Sequence, residues 1–297
     1  GGFTRSDGSS RITGTVGQPV VYTRSGSSAV ATCSGCTGGT TVRGAVVTMA
    51  FGDGRTVVTI GDRRHDSGVV TVTPSATNAA TIQVGLRVRL HDEYLDRVMV
   101  SPWTWPAAAL EAQAAVSRAY GLTAVRAGLR SACGCHVYAD ARDLVFGGYP
   151  SAGQLPSWAA WKAAVRAGGT STTGIVPKYA GELIEPYFSS SNGGATQAKE
   201  DVFGGPPVPY LRSVPDPWSL KPGNPMASWR RTVSQASMRT AFGLRDVVSV
   251  RVATRTAGRA AKTVTATSSS GATATLTGTQ LRSRLRLPSN WVWSVGG

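Results

Sequence analysis

The sequence predicts an α+β protein, with a β-rich N-terminal part followed by a mixed α/β domain. Three observations carry this. β-branched runs such as Val69-Val70-Thr71-Val72 recur between Gly and Pro breaks from residue 42 to 90. An Ala-rich stretch after Pro106 has helical spacing, with Leu110, Ala114 and Ser117 on one stripe. Strand and helix patterns then mix toward the C-terminal end, and 41% hydrophobic residues are enough for real cores.

Residues 1–40 are rich in Gly, Ser and Thr and read as a loosely ordered arm or a small β segment. Residues 41–90 hold strands at 46–49, 56–60, 69–72 and 82–88, broken by Gly52-Asp53-Gly54 and by Pro74-Ser75. Residues 91–297 form the mixed domain. Its first helix covers 106–122: Pro106 suits the first turn, and Gly121 and Gly128 mark where it frays or ends. A second helix spans 157–167, with Ser157 as N-cap and Trp158, Trp161 and Val165 as an apolar stripe. Those tryptophans read as core packing, not as a sugar platform. A hairpin joins 175–179 to 182–188 across Ala180-Gly181 and ends in the polar loop 189–194. Prolines make 204–228 an extended connection. A short helix over 234–242 stops at Gly243, strands follow at 247–252, 263–267 and 272–276, and a last helix covers 279–285.

Lys and Arg number 31 against 16 Asp and Glu, a formal charge of +15. Such a field attracts polyanions: nucleic acid, an anionic membrane face, or the acidic polymers and peptides of a cell wall. The cations are scattered and mostly arginine, which also fits a plain compositional bias. Arg63-Arg64 and Arg230-Arg231 are the only basic doublets, so no nucleic-acid partner is expected. No apolar run reaches the ~18 residues of a membrane helix. No basic-then-apolar leader is visible and the chain starts Gly-Gly, which reads as a mature or trimmed fragment.

Four cysteines form two close pairs, Cys33/Cys36 and Cys133/Cys135. An even count suits two local disulfides in an oxidising compartment. Cys33-Ser34-Gly35-Cys36 can close a tight loop, whereas Cys133-Gly134-Cys135 can do so only with strain. A competing reading takes Cys133, Cys135 and His136 as zinc ligands.

Five segments, in order, resemble the SpoIID/LytB family. Residues 105–120 are similar to "WPxEALKAQAVAARTYA". Residues 138–149, ending Val145-Phe146-Gly147-Gly148-Tyr149, resemble "DTTxxQVYGGY". Residues 188–194 are similar to "FYSSSSGG", and 200–216 to "EDVWGG…PYLRSVxD". Leu276-Thr277-Gly278 with Leu281-Arg282 resembles the closing "LTGxxLRxxLGL". The likeness runs from about 86 to 293, and its strength lies in the kept order. It implies a secreted or wall-bound protein whose SpoIID-like domain forms a groove for peptidoglycan glycan strands. The activity it implies is either that of a lytic transglycosylase, a lyase cutting the MurNAc–GlcNAc linkage, or that of a catalytically silent enhancer of a cell-wall amidase. Some relatives bind zinc.

Cutting a glycosidic bond without water needs one carboxyl that donates a proton to the leaving oxygen and then removes one from the sugar's own hydroxyl. Its pKa must be raised by a dry pocket. The family acid is the Glu of "VVPxEMPxxWP". Here the matching stretch is Val98-Met99-Val100-Ser101-Pro102-Trp103-Thr104-Trp105-Pro106, without the Glu-Met dipeptide. Glu111 is the substitute candidate, although a helix's first turns favour the ionised carboxylate. Its structural alternative is a solvated face or a pair with Arg118. Glu200, Asp201, Asp92 and Glu93 are further acids whose structural alternative is pinning of the chain. Candidate glycan contacts are Gln113, Arg118 and Tyr120 on the first helix, Ser189, Ser190, Ser191, Asn192, Gly193 and Gly194 in the loop, and Asp201 beyond it. Hydroxyls and amides match a glycan's donors and acceptors, and glycines let backbone come close. His65, His91 and His136 show no triad spacing with Ser and Asp. Arg142 and Asp143 stand where relatives carry metal ligands, and the family's "GHGVGMSQ" motif is absent. No cofactor is expected unless the Cys-His site holds zinc.

Overall fold

The computed structural model describes residues 2–6, 8, 10–15, 17–51, 57–170 and 173–296, with backbone alone for Gly2–Ser6. The chain divides into two units, Gly1–Pro186 and Tyr187–Gly297. The division falls inside the stretch that the sequence reads as one mixed domain.

Unit 1 begins with paired antiparallel strands. β1 (Gly2–Ser6), β2 (Arg11–Thr15), β3 (Val21–Ser25), β4 (Ser28–Thr32), β5 (Thr41–Gly44) and β6 (Val47–Ala50) come first. β7 (Val58–Ile60), β8 (Arg63–His65), β9 (Val69–Pro74) and β10 (Ile82–Arg87) follow. One sheet has the order β10-β9-β6-β1-β2, and a second has β3-β4-β5. Burial alternates along β2, β4 and β9, so every second residue enters the core. Ile12, Ala29, Ala31, Val42, Val47 and Val72 form its centre. The Gly/Ser/Thr-rich stretch is therefore a small β segment, the second of its two readings. Thr13, Thr15 and Thr32 occupy outward positions while Ile12, Gly14, Ala29 and Ala31 fill the inward ones. β4 pairs with β5 across residue 40, so one core spans the boundary expected there. The break at Gly52-Asp53-Gly54 and the start of the 56–60 strand at Thr56 lie outside the described residues.

A helical half follows in unit 1. α1 (Ala107–Ala127) runs five residues past its expected end. Gly121 does not fray it. A Cβ there would lie 2.6 Å from Leu90 Cδ1, so the missing side chain seats Leu90 against the helix. α2 (Leu155–Arg166) starts earlier than expected, because a Ser151–Gln154 capping box precedes it. Ser157 is thus inside the helix and its Oγ donates to Gln154 O at 3.0 Å. Trp161 is fully buried and donates Nε1 to Leu95 O, while Trp158 donates to Asp96 O, both at 2.7 Å. The tryptophan stripe is core, as read from the sequence. The segment ending Gly147-Gly148-Tyr149 is held by close backbone approach: a Cβ on Gly147 would meet Met99 Sδ, and one on Gly148 would meet Arg64 O. The hairpin of β11 (Lys178–Tyr179) and β12 (Glu182–Leu183) turns at Ala180-Gly181, both at positive φ.

Unit 2 holds α3 (Lys199–Phe203), α4 (Gln235–Phe242), the sheet β13 (Ser249–Arg255), β14 (Ala261–Thr267), β15 (Thr273–Thr277), and α5 (Gly278–Leu285). Ser234 caps α4 and the left-handed Gly243 ends it, as expected. Thr277 and Gln280 form a capping box on α5. Val264, Ala266 and Leu276 from the sheet pack with Phe242 and Leu281 from the helices. Among the described residues no helix is long and apolar enough to cross a membrane.

Candidate functional site

The candidate residues fall into two groups, one in each unit. In unit 1, α1 carries Gln113, Arg118 and Tyr120, and each is engaged by the protein itself. Gln113 Nε2 donates to Ser117 Oγ at 3.2 Å. Arg118 is 4% exposed. Its guanidinium donates to Val165 O at 2.5 Å, to Ile175 O at 2.6 Å and to His91 Nδ1 at 3.4 Å. Burial lowers its pKa from the ordinary arginine value. Gly174 sits so close that a Cβ would strike the guanidinium. Arg118 is therefore a buried tie between α1, the end of α2 and the chain at Ile175, not an open sugar contact.

Tyr120 donates its hydroxyl to Asp143. The Asp143 side chain is 1% exposed and takes two further donors from Arg130 at 2.7 Å each, plus the Tyr138 amide at 2.8 Å. Burial alone would raise its pKa, but bonds from Arg130, Tyr120 and the Tyr138 amide outweigh that and lower it. Burial and the Asp143 carboxylate push the Tyr120 phenol up to about 12. Asp143 is thus a locked anion. The short loop that presents Arg130 is closed by the Cys133–Cys135 disulfide, with Cα atoms 5.1 Å apart and Gly134 at φ +56°. Cys33–Cys36 is likewise closed, at 5.7 Å. Both sulfurs of the Cys133–Cys135 pair are consumed, so the zinc reading of Cys133, Cys135 and His136 loses its thiolates. Among the described residues no cluster of three or more His, Cys, Asp or Glu could hold a metal.

The stretch 98–106 carries no carboxyl. Met99 donates its amide to Val145 O at 2.8 Å, and Trp103 is buried with Nε1 on Val98 O at 3.1 Å. Glu111 is exposed on α1 and makes no ion pair with Arg118 or any other cation among the described residues. Glu111 therefore lies on a solvated helix face, the first of its structural alternatives. Asp92 and Glu93 are both held by Arg89. Asp96 is held by Arg166 at 2.9 Å. The carboxyls displaced from their usual range, at Asp92, Asp140, Asp143, Glu200 and Asp246, all move down.

In unit 2 the polar loop splits into an anchored half and an open half. Asn192 is buried and donates to Asp216 Oδ2 at 2.7 Å. Its Oδ1 accepts from Gly194 N at 3.0 Å and Ser219 Oγ at 2.6 Å. Ser191 Oγ accepts from Asn224 at 2.8 Å. A Cβ on Gly193 would lie 1.8 Å from the Trp291 ring, and Gly194 has φ +99°. The Asn192 side chain therefore holds the loop, and Gly193 and Gly194 let its backbone pass close to Trp291 and Leu220. Ser189 and Ser190 are exposed. Asp201 pairs with Lys262 at 3.1 Å and Glu200 with Arg212, so both pin α3, their structural alternative.

Sequence reasoning missed exposed aromatic side chains on the segments joined to this loop. Tyr187 and Phe188 lead into it, and Phe203 is 62% exposed with its ring centroid 4.8 Å from that of Tyr187. Trp218 is 74% exposed on the 3₁₀ turn Pro217–Leu220, whose Ser219 bonds Asn192. The aromatic residues were visible in the sequence, but their exposure was not. Their flat apolar faces beside hydroxyl groups can cover the apolar face of a sugar ring while the hydroxyls meet its rim.

No family model matches the chain. It is similar to the amidase enhancer of Bacillus subtilis (strain 168), with 31% identity over 139 residues. The match covers 47% of this chain and 16% of that protein's length.

Proposed function

We propose that this protein is a cell-wall protein that binds peptidoglycan glycan strands and assists a wall amidase without cutting the glycan. The similarity to an amidase enhancer carries this reading. The site chemistry supports the silent form over a lytic transglycosylase. The stretch 98–106 has no carboxyl, and the buried acids of unit 1 are tied to cations or hydroxyls of the protein itself. The glycan contact is assigned to Ser189, Ser190 and the Tyr187, Phe203 and Trp218 faces of unit 2. The two closed disulfides favour an extracytoplasmic site of action. The test is to incubate the protein with purified denuded glycan strands and analyse the products by mass spectrometry. Binding without new 1,6-anhydro-MurNAc ends is expected. Accumulation of such ends with time would overturn the silent reading in favour of a lyase.

A further inference from the structure

The charge is not spread evenly. Fourteen Lys and Arg against four Asp and Glu give unit 2 a formal charge of +10, two thirds of the chain's +15. Its carboxylates are already occupied: Glu200 by Arg212, Asp201 by Lys262, Asp216 by Asn192 and Asp246 by Ser269. Cations outnumber the acids where α4 and α5 meet, where Asp246 alone lies in the field of Arg245 and Arg239. Arg284 of α5 donates to Ala241 O near the end of α4 at 2.6 Å, which joins the two helices. Arg239 stands on the last turn of α4 and Arg245 just after its Gly243 cap. Arg282 and Arg286 mark the end of α5. All five arginines are exposed. A shallow open depression lies on the α4 side of this face, lined by Ala236, Arg239, Thr240, Gly243 and Leu244.

We infer that this face of unit 2 docks a polyol-phosphate wall polymer, a repeating phosphodiester chain of the teichoic acid class. Arginine forks bind phosphate oxygens in pairs, and several forks on neighbouring helix ends suit a chain of phosphates better than one ion. Cations at helix C-termini also offset the helix dipole. Arg284 is seated on an α4 carbonyl and Arg282 on Pro288 O, while Arg239, Arg245 and Arg286 stay exposed with only Asp246 in the field of the first two. Nucleic acid is the weaker fit, because single strands are gripped by stacked aromatic side chains and none lines this depression. The choice of a wall polymer rests on the cell-wall reading proposed above, whereas the docking face itself is separate from the glycan contact.

The experiment uses the full chain and purified poly(glycerol phosphate) at about 0.15 M salt. The triple variant R239Q/R245Q/R286Q removes three cations from this face. The control R87Q/R126Q/K178Q removes three exposed cations from unit 1. The first should bind about tenfold more weakly, with a shallower salt dependence, and the second should bind nearly as well as the parent. Equal losses in both would overturn the docking face and leave only net charge. A single-stranded oligonucleotide that displaces the polymer at a lower phosphate concentration would overturn the assigned partner. Melting by circular dichroism checks the fold, and R239Q/R245Q replaces the triple variant if Arg286 proves structural. Denuded glycan binding, measured in parallel, should not change, so failure here is separable from failure of the glycan reading.

Discussion

The α1 segment of unit 1 and the polar loop of unit 2 both carry candidate glycan contacts, yet they use their polar groups in opposite ways. On α1, Arg118 and Tyr120 are spent on the fold: one ties three backbone segments, the other feeds the Asp143 anion. In unit 2, Asn192 fixes the loop, while Ser189, Ser190 and nearby aromatic rings remain exposed. A motif residue therefore serves packing or binding according to its burial. If this contrast is right, changes in unit 1 act on stability and changes at the open half of the loop act on binding.

The largest expected effect is in the unit 1 core. Trp161→Ala should cost about 3–5 kcal/mol, from the lost ring and the stranded Leu95 carbonyl, read by denaturant unfolding. Arg118→Met should cost about 3 kcal/mol, because it leaves buried carbonyls unpaired. The folded fraction should bind glycan as before. A well-folded Arg118→Lys protein that has lost glycan binding would break the contrast. Asn192→Ala should cost about 2 kcal/mol and also loosen the loop, so stability and binding fall together.

Asp143 sharpens the comparison through pH. Its folded pKa is depressed, so its stabilisation is present above the unfolded value of about 3.9 and is lost as pH falls through the folded value. Thermal melts of the parent should weaken below about pH 4, and Asp143→Asn should flatten that part of the profile while lowering stability at neutral pH. An unchanged acid limb would remove Asp143 from its assigned role. The smallest stability effect is expected from Ser189→Ala with Ser190→Ala, within about 0.5 kcal/mol, since both are exposed.

Much of the fold was legible because its causes are local. The α4 stop at Gly243, the capping of α5 and the Ala180-Gly181 turn each depend on residues within a few positions. The end of α1 is legible in part: Gly128 is its C-cap, as the sequence suggests, but Gly121 also looks like a breaker and only Leu90, far away in sequence, explains why it is not. The site was less legible for the same reason. Asn192 finds its partners 24 and 27 positions on, at Asp216 and Ser219. Asp143 draws on Tyr120 and Arg130, 23 and 13 positions back. Nothing in the spacing distinguishes a serine that caps from one that is open, or a tryptophan like Trp161 from one like Trp218. That difference is made by what packs over them.

The most direct test is equilibrium binding of purified glycan strands to the parent and to Phe203→Ala/Trp218→Ala, with the melting temperature of both recorded. Both rings are more than half exposed, so the variant should melt like the parent and bind several-fold more weakly. Undiminished affinity in a protein of unchanged stability would contradict the assignment of glycan binding to this surface.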